Sequence, residues 1–79
     1  MNLADRNYAI ALFARYLKAR GPSRFHGMRL ARIERLVAQA IVPYGHWGSP
    51  YYRIAFCDAV FISGALCVWT GKWYRTVLV

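Results

Sequence analysis

Arg29, Arg32 and Arg35 stand three residues apart in the sequence, and Arg24 lies just upstream. On a helix this spacing makes a ridge of guanidinium groups up one side. Planar guanidinium forks grip carboxylates with two hydrogen bonds at once, and they track phosphates by charge. Arg32 and Arg35 fall away from the apolar positions of the same segment, and Arg29 falls at their margin. Only Glu34 offers a counter-charge nearby. The plainer reading is the solvated side that every amphipathic helix needs. A second cluster follows in Tyr44, His46, Trp47, Tyr51, Tyr52 and Arg53. Aromatic rings beside cations suit single-stranded nucleic acid, because bases stack while phosphates pair with the charges. Protein interfaces use the same residue types as anchors. The plainer reading here is that Trp47 and Tyr51 plug the edge of a small core. The candidate contact residues are therefore Arg24, Arg29, Arg32, Arg35, Tyr44, His46, Trp47, Tyr52 and Arg53.

A catalytic alternative uses His46, Arg53, Tyr74 and Arg75 as acid–base and phosphate-stabilising groups for RNA cleavage. The sequence offers no paired-carboxylate site, no readable Ser-His-Asp arrangement and no Gly-rich phosphate loop, so a non-enzymatic role leads. Cys57 and Cys67 sit inside apolar runs, where free buried thiols are the ordinary state. Without a Cys-x-x-Cys pair or a Cys/His cluster at zinc spacing, neither a metal nor another cofactor is expected.

The charge balance narrows the partners. Eleven Lys and Arg against three Asp and Glu give a formal net charge of +8. Such a chain favours phosphate backbones or an acidic protein surface, and it cannot itself imitate DNA. At 79 residues it is read as one domain, 1–79. A domain this small hides only about 60% of its unfolded surface. With 58% hydrophobic residues, the chain has more apolar surface than a monomer readily covers, so a partner or a homodimer mate is expected. Asp5 and Arg6 interrupt the N-terminal residues before any apolar stretch, which does not read as a secretory signal. The longest uncharged run, 59–71, is too short to span a bilayer and holds Gly64 within it. The expectation is a cytoplasmic protein with no membrane role.

Two helices must position the arginines. The first is predicted over 3–20, with Asn2 as its cap and Asp5 in the first turn. Ala9, Ile10, Leu12, Phe13, Tyr16 and Leu17 recur at helical spacing, and Gly21-Pro22 stops the run. The second is predicted over 28–42, with Leu30, Ile33, Val37, Ala40 and Ile41 on one face and Pro43 ending it. The stretch 43–50 holds two Pro and two Gly and reads as a loop.

From Tyr51 onward the chain changes period. Short runs of β-branched and aromatic residues are broken by Cys57-Asp58, Ser63-Gly64 and Gly71-Lys72. Strands are predicted over 51–56, 59–63, 65–70 and 73–79. Gly71 at the first position of a two-residue turn sets Trp69 opposite Tyr74, Val68 opposite Arg75 and Leu66 opposite Val77. That register places Cys67, Trp69, Tyr74 and Leu78 on one face, and Leu66, Val68, Trp73, Val77 and Val79 on the other. Two helices cover one face of a sheet, so the second face needs other cover or a strong curl. The fold class is α+β: two N-terminal helices packed on a three- or four-stranded antiparallel β-meander.

Two resemblances rest on these residues. The order helix, helix, antiparallel strands ending in Thr76-Val77-Leu78 resembles the RelE-type toxin ribonucleases, which implies an RNA-cleaving site of basic residues, Tyr and His on the sheet. The compact chain, its lopsided charge, its exposed arginines and aromatics and its missing catalytic motif resemble the small phage-encoded anti-CRISPR proteins that act on type I surveillance complexes. That resemblance implies a stoichiometric inhibitor that sits on the Cascade nucleoprotein complex and keeps target DNA away. A small basic nucleic-acid-binding protein is the third reading.

Overall fold

The structure is a computed structural model that describes residues 3–43 and 51–79. The expected cap Asn2 and the candidate contacts Tyr44, His46 and Trp47 lie outside the described residues. Two helices, α1 (Leu3–Arg20) and α2 (Leu30–Ala40), are joined by a 3-10 turn over Ser23–Phe25. Five strands follow: β1 (Val42–Pro43), β2 (Tyr51–Arg53), β3 (Ala59–Ile62), β4 (Ala65–Trp69) and β5 (Tyr74–Leu78). They form one antiparallel sheet in the order β1-β2-β3-β4-β5, a meander with five strands rather than three or four.

α1 spans the predicted residues and supplies more of the core than any other element. Ala9, Leu12, Phe13, Ala14 and Leu17 are wholly buried. The helix packs on β3 and β4, where Tyr8 meets Phe61 edge-on at 6.0 Å between ring centres. Asp5 in its first turn and Lys18 and Arg20 in its last turn agree with the helix dipole. Gly21 closes the helix by donating its amide to the Leu17 carbonyl at 2.9 Å. A Cβ at Gly21 would lie 2.7 Å from that oxygen, so the close approach needs glycine.

α2 is shorter than the predicted 28–42. Arg29 is its cap residue, in extended conformation, and the helix ends at Ala40. Pro43 does not end it. Val42 and Pro43 leave the helix early because they pair with Arg53 and Tyr52 as β1. Only Ile33 and Val37 of α2 are fully buried, and the helix packs chiefly on α1.

β2 stops at Arg53, well short of the predicted end at residue 56, and β3 starts at Ala59. The β3–β4 turn is Ser63-Gly64, with φ of 47° and 93°. Left-handed backbone at both positions suits a tight two-residue hairpin. In the β4–β5 hairpin Trp69 faces Tyr74 and Val68 faces Arg75, as the turn at Gly71 (φ 98°) requires. Further along, a bulge between Leu66 and Cys67 shifts the register, so Leu66 pairs with Leu78 and not with Val77. The bulge also moves Leu78 from the expected Trp69 face to the Leu66 face.

The two faces of the sheet therefore differ. Tyr52, Ala59, Phe61 and Leu66 lie toward the helices and are buried. Arg53, Val60, Ile62, Cys67, Trp69 and Tyr74 point the other way by strand alternation. On this second face Trp69 and Tyr74 are exposed.

Candidate interaction surface

The arginine ridge is outward, as its spacing requires. Arg29, Arg32 and Arg35 are all exposed. Among the described residues no ion pair or side-chain hydrogen bond holds any of the three. The local field around them is more positive than the count of arginines implies. α2 has no acidic residue in its first turn and no side-chain cap at Arg29, so the positive end of its dipole stands beside two guanidinium groups.

Arg24 joins this side by a different route. Its guanidinium lies 4.6 Å from the centre of the Phe25 ring and 5.7 Å from that of Phe56. The two rings stack on each other at 5.7 Å, and Phe25 is buried. A cation held over aromatic faces keeps its hydrogen-bonding edge free for a ligand. Arg24 and Arg32 flank a groove of about 480 Å³ whose apolar lining includes Phe25, Met28, Leu36 and Phe56.

Other cations bind the fold to itself. Arg6 donates to the Ala38 carbonyl at 2.9 Å, satisfying one of the open carbonyls at the end of α2. Lys18 donates to the carbonyls of His26 and Met28 and pins the linker between the helices. The His26 Nε2 donates to the Gly21 carbonyl at 2.7 Å. This places His26 in the linker's own hydrogen bonding.

Of the aromatic-basic cluster, the described candidate contacts Tyr52 and Arg53 do not join the ridge. Tyr52, a candidate contact residue, is 3% exposed and packs on Phe61 at 5.9 Å, so it belongs to the core. It is drawn inward because its strand position faces the helices. Arg53 is exposed but sits on the opposite side of the sheet, in the row with Val60 and Cys67.

The described members of the catalytic alternative, Arg53, Tyr74 and Arg75, are likewise dispersed. Arg53 on β2 and Tyr74 on β5 are separated by three strand spacings, about 14 Å. Arg75 alternates to the face opposite Tyr74. Tyr16 donates to Asp58 Oδ1 at 3.4 Å, and its hydroxyl pKa is raised by burial and then by the Asp58 charge. Burial pushes the neighbouring Cys57 thiol up to about 11, which makes it a poor nucleophile at neutral pH. Among the described residues no group of three His, Cys, Asp or Glu is placed to hold a metal. No helix among them is long and apolar enough to cross a membrane.

Elsewhere, Trp69 and Trp73 were not among the sequence candidates, and Tyr74 was one only in the catalytic alternative. Trp69, Trp73 and Tyr74 are 57%, 64% and 41% exposed at the β4–β5 hairpin. The signal was present in the run Trp69-Thr70-Gly71-Lys72-Trp73-Tyr74-Arg75, which reads as strand and turn when only periodicity is considered. No protein-family model, curated protein or solved structure matches this chain.

Proposed function

We propose that this chain is a non-enzymatic binding protein whose α2 side meets an anionic macromolecular surface. In its specific form the proposal is an inhibitor of the anti-CRISPR kind. The protein docks on a type I surveillance complex and prevents target DNA from loading. The observation that carries this reading is the outward set Arg29, Arg32 and Arg35, exposed beside the uncapped start of α2. Helix stability does not account for cations at that end. Arg24 and the apolar groove beside it add a contact of mixed character, which fits an acidic protein surface with apolar anchors better than a bare phosphate backbone.

The test is a mobility-shift titration of target DNA with a purified type I surveillance complex, with and without this protein. The expected result is loss of the DNA complex with the wild type and recovery of loading with the Arg29→Ala, Arg32→Ala, Arg35→Ala triple variant. Undiminished loading at saturating protein overturns the specific form. A parallel titration of duplex DNA with the protein alone, at two salt concentrations, addresses plain nucleic-acid binding. Affinity that falls steeply with salt and needs no protein partner favours that reading instead.

A further inference from the structure

We infer that the β4–β5 hairpin is a second contact site, one that stacks the unpaired bases of single-stranded nucleic acid. Trp73 is 64% exposed and makes no ring contact among the described residues. Trp69 is 57% exposed and meets Tyr74 edge-on, with ring centres 5.1 Å apart and planes at 60°. An edge-on contact leaves indole face open for a flat partner. Exposed Lys72 precedes Trp73 directly, and exposed Arg75 shares its strand face with Trp73, while Trp69 and Tyr74 lie on the other face. Residues 59–79 contain no Asp or Glu to oppose them. Stacking faces with adjacent cations and no acids are what a base and its phosphate require together.

The scaffold beneath the rings is ordered. Thr70 donates its amide to the Trp73 carbonyl at 2.9 Å, and its hydroxyl donates to the same oxygen at 2.9 Å. Rings held on a bonded turn lose little freedom when a ligand arrives, which favours binding. The tip of the hairpin is Thr70, Gly71 and Lys72. A polar tip disfavours insertion into lipid, where an aliphatic tip is expected. Trp69 and Tyr74 lie on the sheet face turned away from the helices, so these rings are separate from the α2 arginines.

The experiment titrates the full chain with a fluorescein-labelled oligo(dT) of about 12 nucleotides, in the usual size range of single-strand sites. A duplex of equal length and anionic phosphatidylserine vesicles form the other arms. The expected results are quenched tryptophan fluorescence with oligo(dT), tighter binding to oligo(dT) than to duplex, and no response to vesicles. Trp73→Ala is expected to weaken oligo(dT) binding about tenfold while leaving duplex binding hardly changed. Trp73→Phe, which keeps a ring, is expected to retain most of the affinity. Circular dichroism and the thermal midpoint serve as the folding control for both variants. Equal affinity for single strand and duplex, or wild-type affinity in Trp73→Ala, overturns the inference. A tryptophan response to vesicles but none to oligo(dT) does so as well. The triple arginine variant separates the two sites. It is expected to keep tryptophan quenching by oligo(dT) even where it no longer protects DNA from loading.

Discussion

α1 carries four cations and α2, counting its cap residue, three, and the two helices arrange them in opposite ways. α1 places Asp5 at its start and Lys18 and Arg20 at its end, each in agreement with its dipole. Arg6 and Lys18 also reach backbone carbonyls of other segments. α2 has no acid in its first turn, no cation in its last, and arginine at its uncapped start. One helix is charged in a way that stabilises the fold. The other is charged against its own dipole and exposes the result. That contrast is the reason for proposing that the α2 arginines meet a partner outside the folded chain.

The contrast can be sharpened first at its structural end. Phe13→Ala removes a fully buried ring of α1 and is expected to cost about 3–5 kcal/mol in urea unfolding. In a domain this small that leaves little residual stability. Arg6→Ala removes a charged donor from the Ala38 carbonyl and is expected to cost about 1.5 kcal/mol. The triple replacement of Arg29, Arg32 and Arg35 by Ala is expected to stay within about 0.5 kcal/mol per position. If the triple variant loses more stability than Arg6→Ala, the contrast fails. Arg29→Ser goes further, since it supplies the missing cap and removes an opposed charge. It is expected to raise stability by about 1 kcal/mol while weakening binding to an anionic partner. A less stable Arg29→Ser protein would show that Arg29 serves the fold after all.

The last expected effect is a pH dependence confined to alkaline conditions. Burial raises the Cys57 thiol from an ordinary 9.0 to about 11, so the folded chain holds this proton more tightly than the unfolded chain does. Stability from this group is complete below pH 9 and is lost as the pH rises through about 11. Urea midpoints across that window are expected to fall for the wild type and to fall less for Cys57→Ser. The raised Tyr16 hydroxyl adds a decline of the same sign.

Local signals in the sequence located the elements, and non-local pairing decided their ends. α1 was legible because its apolar positions, its charges and Gly21-Pro22 all agree. The turns at Ser63-Gly64 and Gly71 were legible because left-handed backbone restricts which residues fit. The end of α2 was not, since Val42 and Pro43 are drawn off by Arg53 and Tyr52, residues about ten positions further along the chain. The exposure of Arg32 and Arg35 followed from helical spacing, whereas Arg29, read at the margin of the apolar stripe, precedes the helix as its extended cap residue. The placing of Arg24 did not follow from spacing, because it depends on Phe56, more than thirty residues away in the chain. Tyr52 was misjudged for a related reason. Its neighbour Arg53 is exposed, and alternate strand positions face opposite ways.

The bulge opposite Leu66 has a consequence for the molecule in company. β5 closes one side of the sheet, and a regular strand there would offer its unpaired amides and carbonyls as a template for any passing strand. The added residue interrupts that repeat and increases the local twist. A chain this rich in apolar residues can thus display an aromatic margin at high concentration without its copies lining up into a continuous ribbon.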